Sequence, residues 1–298
     1  MPEALGNSHE QRRALWLLSV PVVAFGCGWP INKVALQDAT PLWFAAGRII
    51  LSTITAFALV LLLRQWRRPA YRDLPIIFSI GLLQFAVYFA LTNVAMHYLT
   101  AGSSVVLANT TTLWLVPMAL AIGEPIPPLR WLGVGAGVAG IVTLANPWSL
   151  DWQEPGVALG LGFTLLAALS WAVAILHARR HRWEMQPLQA LPWQMAVGSV
   201  ALIALAAAAD PAGHVGFSVK ALGGIFYVGV LAGPVSSWAA LIVARDLPTV
   251  VTSLGFLGIP ALGLVISTVA LGEPMSWALA IGAGLIGVGV ALATVARA

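Results

Sequence analysis

Polar and aromatic side chains interrupt the long apolar runs of this chain, at positions where each would need a partner. Gln84 and Tyr88 are four positions apart and share one face of a predicted helix. A buried amide, hydroxyl or indole N–H needs a hydrogen-bond partner, on a neighbouring helix or on a ligand. We therefore predict a cavity that fits a zwitterion with an apolar or aromatic side chain, with core packing as the alternative for each residue. The residues predicted to line it are Gln84, Tyr88, Asn109, Trp114, Trp171, Ser237 and Trp238.

Two basic residues, Lys33 and Arg48, stand a few positions inside the ends of their apolar runs. Long basic side chains at such places can extend to the aqueous interface, which is the first interpretation. The alternative is that one of them binds the carboxylate of a substrate.

Few residues are of a type that supports catalysis or metal binding. Cys27 is the only cysteine, which excludes a disulfide framework and a multi-thiolate metal site, and the chain has no His-Glu-x-x-His motif. We expect no enzyme activity, no cofactor and no metal. The eleven acidic residues fall in loops, tails or span ends, whereas ion-driven carriers commonly hold a carboxylate within the membrane. We therefore expect no ion-coupling site, with His97 and His177 as the remaining titratable alternatives.

The composition is that of a polytopic helical membrane protein. Hydrophobic residues make up 59% of the chain and charged residues 9%, against about a quarter charged in soluble domains. Each apolar run of about 20 residues is long enough to cross the hydrocarbon layer. We predict an all-α integral membrane protein with ten transmembrane helices. The predicted spans are 14–36, 42–63, 74–96, 104–122, 131–146, 156–178, 187–209, 221–243, 250–271 and 276–296.

The distribution of Lys and Arg predicts that both termini are cytoplasmic. With the N-terminus inside, the outer loops hold Lys220 alone. The inner segments hold Arg12, Arg13, Arg64, Arg67, Arg68, Arg72, Arg130, Arg179, Arg180, Arg182, Arg245 and Arg297. Topology therefore explains the net charge of +4, and no nucleic acid partner is expected. We predict a monomer in the lipid bilayer with a small-molecule substrate.

The phrase Gly-Glu-Pro occurs twice, at 123–125 and again 149 positions later at 272–274, and glycines follow both copies in step. This indicates an internal duplication into residues 1–149 and 150–298, with five spans in each half. An odd number of spans inverts the second half relative to the first, as in many carriers that work by alternating access. Duplication of a mere helical scaffold is the alternative. Glu124 and Glu273 are predicted to form turns, each carboxylate favouring the N-terminus of the following helix, with direct substrate contact as the alternative.

Ten spans, two five-helix halves and a Gly-Glu-Pro turn before a glycine-rich last helix resemble the EamA branch of the drug/metabolite transporter superfamily. Leu113-Trp114 and Ser170-Trp171-Ala172 are similar to the aromatic amino-acid exporters of that branch. One departure is that Pro260, which the family often has in the ninth span, has Thr112 as its partner in the first half.

The resemblance implies a carrier of the bacterial inner membrane that exports amino acids, aromatic and other apolar ones, through a central cavity. An exporter of another small metabolite or drug is the alternative. A nucleotide-sugar carrier would need several cations in the cavity, and only Lys33 and Arg48 are available. An intramembrane enzyme or a purely structural membrane protein are the alternatives from other classes.

Overall fold

The computed structural model describes residues 8–123, 125–145, 155–247 and 249–295. These residues are about 83% helical and contain no β-strand, so the predicted all-α class is confirmed. The helices are α1 (Ser8–Ala35), α2 (Pro41–Leu62), α3 (Tyr71–Tyr98), α4 (Ala101–Ala121), α5 (Pro128–Ala145), α6 (Pro155–Arg180), α7 (Pro187–Ala209), α8 (Val219–Asp246), α9 (Thr249–Phe256), α10 (Gly258–Leu271) and α11 (Trp277–Val295).

Within the described residues, seven helical segments are long and apolar enough to cross a membrane: α1 to α4 and α6 to α8. The apolar helices α5, α10 and α11 are shorter. The membrane protein predicted from composition is therefore confirmed. The count of ten spans stays a prediction.

Two helical regions are broken near the middle of their length. The first helical segment of α4 is Ala101–Ala108, and a second segment begins at Thr111. The predicted span 250–271 is likewise two helices, α9 and α10, which meet at Leu257. Breaks of this kind free backbone groups within the membrane, which is tolerated where they line a cavity or are buried in protein.

Wider helical turns occur in α3 and α8, over Gly81–Val87 and Tyr227–Val235, where the backbone bonds run from residue i to i+5. In α8 the wide turn includes Gly233, whose non-helical φ of −91° and ψ of −108° kink the helix next to Pro234. Such local widenings are frequent at functional sites. Here they lie in the two helices that supply Tyr88 and Val228 to the cavity described below.

The helices pack in pairs around clusters of buried apolar side chains, of which three are large and two are small. α5 lies against α11, and α2 lies against α7. α1 packs on α8 and α10, while α6 packs on α3 and α4. The helices that pair most extensively therefore come from different halves of the chain.

A buried carboxylate fixes the loop between α6 and α7. Asp73 is fully buried and accepts hydrogen bonds from the backbone N–H groups of Met185 at 2.8 Å and Glu184 at 3.2 Å. Its Oδ1 also lies 2.8 Å from His181 Nε2. Asp73 therefore holds the loop between α6 and α7 against the start of α3, and it is not among the residues that line the cavity described below.

Candidate substrate-binding site

A cavity of about 380 Å³ lies between the helices, with walls from α1, α2, α3, α4, α6, α8, α9 and α10. Its volume is sufficient for a small metabolite. Most of the wall is apolar or aromatic, and the polar groups are few. The lining side chains used below are Phe25, Trp29, Asn32, Arg48, Tyr88, Phe89, Thr92, Asn109, Thr111, Thr112 and Trp171.

Arg48 is the cation of this cavity. The residue is only 8% exposed, and its guanidinium carbon lies 4.0 Å from the centre of the Phe89 ring. Among the described residues, Arg48 makes no ion pair, its Nε has no hydrogen-bond partner, and no acidic side chain lines the cavity. A buried charge without a partner is costly. The site is therefore complementary to an anionic group on a ligand.

Aromatic rings form the wall beside this cation. The rings of Tyr88 and Trp171 lie 4.5 Å apart at an angle of 63°, and Tyr88 also packs edge-on against Phe89 at 5.6 Å. Tyr88, Asn109 and Trp171, predicted from the sequence to line the cavity, do so. Whether they contact a substrate stays a prediction.

Four other predicted residues lie outside the lining of this cavity: Gln84, Trp114, Ser237 and Trp238. Contact of these four residues with a substrate stays a prediction. Trp238 packs instead against the apolar cluster of α2, α3 and α7. Ser237 and Trp238 follow the kink at Gly233, whereas the lining residues Val228 and Ala232 precede it.

Lys33 has a different place from Arg48, although both were candidates for binding a carboxylate. Its Nζ donates hydrogen bonds to the carbonyl oxygens of Leu99, at 2.8 Å, and Met96. Met96 belongs to the last turn of α3 and Leu99 follows the helix directly, where carbonyl groups lack partners within the helix. Lys33 therefore stabilises a helix end and is not among the residues that line the cavity.

Glu273 stabilises a helix start, but not the predicted one. Its carboxylate accepts hydrogen bonds from the backbone N–H groups of Ala101 at 2.7 Å and Gly102 at 3.0 Å. It therefore caps α4, far away in sequence, instead of the following helix. The left-handed Gly272, at φ +66°, ends α10 and allows the chain to turn there. Glu124 lies outside the described residues.

We expect Glu273→Ala to lower the free energy of unfolding by about 1 kcal/mol, since two N–H groups of α4 lose their acceptor. Thermal unfolding in detergent measures this. Glu184→Ala is the control, because that side chain makes only an exposed ion pair with Arg72 at 3.5 Å. Equal midpoints for the two variants would contradict the capping role.

Asn32 and Thr111 line the cavity but were not among the residues predicted to do so. Asn32 is 5% exposed, and its Oδ1 has no hydrogen-bond partner among the described residues. The available signal was an amide within an otherwise apolar run, next to Lys33.

A bundle of membrane-length helices around a cavity with a buried cation and an aromatic wall is typical of a small-molecule transporter. The model of the EamA-like transporter family matches residues 12–146 and again residues 158–295. The chain belongs to the EamA-like transporter family.

Relatives that match most of the chain are known from several organisms. Uncharacterized transporter YvbV of Bacillus subtilis (strain 168) is 25% identical over 92% of this chain and 89% of its own length. Uncharacterized inner membrane transporter YedA of Escherichia coli (strain K12) is 26% identical over 92% and 88%. A crystal structure superposes with a TM-score of 0.64 over 95% of this chain and 97% of the other, at 19% identity. These similarities support membrane transport and the fold.

Proposed function

We propose that this chain is an inner-membrane carrier that exports amino acids with aromatic or other apolar side chains. The observation that carries the proposal is Arg48, a buried cation that lines the cavity with no ion-pair partner among the described residues. The aromatic faces of Tyr88 and Trp171 beside it fit an apolar side chain. Export as the direction is implied by the family resemblance.

The carrier would work by alternating access between two inverted five-helix repeats, residues 1–149 and 150–298, with both termini in the cytoplasm. The family model matches each half separately. The helix breaks at Asn109 and Leu257 lie 148 positions apart, close to the 149 that separate the two Gly-Glu-Pro phrases. The packing also fits an inverted pair, because α1 contacts α8 and α10 while α6 contacts α3 and α4.

A nucleotide-sugar carrier fits this cavity less well. Its substrate has at least two phosphate charges, while Arg48 is the one Lys or Arg that lines the described cavity. An exporter of another small organic anion or drug is the remaining alternative within the family.

The test is uptake into proteoliposomes loaded with unlabelled substrate. Labelled phenylalanine, tryptophan, methionine and threonine are compared with a nucleotide sugar, with and without a pH gradient. We expect exchange of the apolar amino acids, indifferent to the gradient, because the described cavity contains no carboxylate. Dependence on the gradient would contradict the uncoupled mechanism, and exchange of the nucleotide sugar alone would contradict the substrate class.

A further inference from the structure

Two polar side chains of α4 that line the cavity, those of Asn109 and Thr111, each donate a hydrogen bond to a backbone carbonyl of their own helix. Asn109 Nδ2 donates to the carbonyl oxygen of Val105 at 2.7 Å. Thr111 Oγ1 donates to the carbonyl oxygen of Ala108 at 2.9 Å. Asn109 then retains its amide oxygen and one N–H, and Thr111 retains the lone pairs of its hydroxyl, for another partner. This part of the wall therefore offers hydrogen-bond acceptors.

The same part of the wall lies at a helix end. Asn109 is the residue that follows Ala101–Ala108, and the next helical segment begins at Thr111. The end of the first segment carries partial negative charge and the start of the second carries partial positive charge, so the uncharged oxygens of the side chains, and not the helix dipoles, distinguish this part of the wall. Thr92 of α3, which also lines the cavity, is similar to Thr111, since its hydroxyl donates to the carbonyl oxygen of Tyr88 at 2.8 Å.

Arg48 of α2 offers the opposite chemistry, because a guanidinium has donors and no acceptor. The cavity therefore has a cationic part at Arg48 and an acceptor-rich part at the break of α4. Among the described residues that line the cavity there is no carboxylate to pair with the ammonium group of a ligand. Neutral oxygens and the faces of Tyr88 and Trp171 are the groups available for that purpose.

We propose that the break in α4 binds the primary ammonium group of the substrate, with Asn109 Oδ1 and Thr111 Oγ1 accepting its hydrogen bonds. Arg48 would then hold the carboxylate of the same molecule. This rests on the proposed function and deepens it, because it names the part of the cavity that distinguishes an amino acid from the corresponding acid without the amino group.

The test combines a change in the protein with a change in the ligand. Phenylalanine and 3-phenylpropionate, which lacks the ammonium group, compete for uptake of labelled phenylalanine. In the wild-type chain we expect phenylalanine to inhibit at a concentration at least about tenfold lower, as for hydrogen bonds to a charged group. In Thr111→Val and Asn109→Ala this preference should decrease several-fold, because phenylalanine binding weakens and 3-phenylpropionate binding does not.

Thr143→Val is the matched control. Thr143 of α5 also donates to a backbone carbonyl, that of Ala139 at 2.8 Å, but it does not line the cavity. The preference of the Thr143→Val variant for phenylalanine over 3-phenylpropionate should equal that of the wild-type chain. Two outcomes would overturn the ammonium site while leaving the proposed function intact. One is that Thr111→Val and Asn109→Ala weaken the binding of phenylalanine and of 3-phenylpropionate equally, and the other is that both variants keep the wild-type preference. Absence of amino-acid exchange in the wild-type chain would overturn both.

Discussion

The Arg48→Gln variant is expected to exchange phenylalanine at least about 100-fold more slowly than the wild-type chain, because a charge-assisted contact to the substrate carboxylate is lost. Uptake into proteoliposomes measures this. The same variant should unfold at an equal or higher temperature. Arg48 is buried and makes no ion pair among the described residues, so its removal relieves the cost of an unpaired charge.

The combination of lost flux and retained stability separates substrate binding from a structural role. Arg179→Gln, a change at an exposed arginine of the last turn of α6, is the control and should leave flux unchanged. A variant Arg48→Gln that loses stability and flux together would contradict the assignment, as would one that transports phenylalanine at the wild-type rate.

A second large effect is expected where α5 crosses α11. A side chain at Gly289 would place its Cβ 2.6 Å from the carbonyl oxygen of Gly133 and 2.7 Å from the backbone nitrogen of Gly137. Backbone atoms cannot give way as a flexible side chain can, so the helices must separate. We expect Gly289→Ala to lower the free energy of unfolding by about 1–3 kcal/mol, as overpacking does. Thermal unfolding in detergent measures the change.

Gly284→Ala on the same helix is the matched control. Among the described residues, no atom lies within 4 Å of where its Cβ would be. Because alanine has the higher helix propensity, this variant should be as stable as the wild-type chain or slightly more stable. Similar destabilisation by both substitutions would show that the close crossing of α5 and α11 is not what stabilises this part of the bundle.

Hydropathy was sufficient to predict the class of fold, because a run of apolar residues long enough for the bilayer needs no information about its neighbours. The breaks at Asn109 and Leu257 were not predicted. Pro260 accompanies the second break, whereas no proline accompanies the first. Such breaks depend on how adjacent helices satisfy the freed backbone groups, which a single sequence does not display.

The site was predicted in part for the same reason. Lys33 and Arg48 have similar positions near the ends of their helices, and the sequence left their roles open. Neighbours distant in sequence determine the role of each side chain. Lys33 donates hydrogen bonds to carbonyls 63 and 66 positions away, whereas Arg48 stacks on the ring of Phe89. From its position within a span, Trp238 was predicted to lie on the cavity wall. In the structure it follows the kink at Gly233 and packs against the apolar cluster of α2, α3 and α7.

Protection of a cavity residue by substrate tests most directly whether amino acids occupy this cavity. Cys27 is the only cysteine, so Cys27→Ser provides a background for the single change Thr112→Cys in the cavity wall. We predict that phenylalanine slows modification of this cysteine by a water-soluble thiol reagent. Phe217→Cys, at a position 98% exposed outside the cavity, is the control and should react at the same rate with and without phenylalanine. Equal modification rates at position 112 with and without saturating phenylalanine would contradict the account.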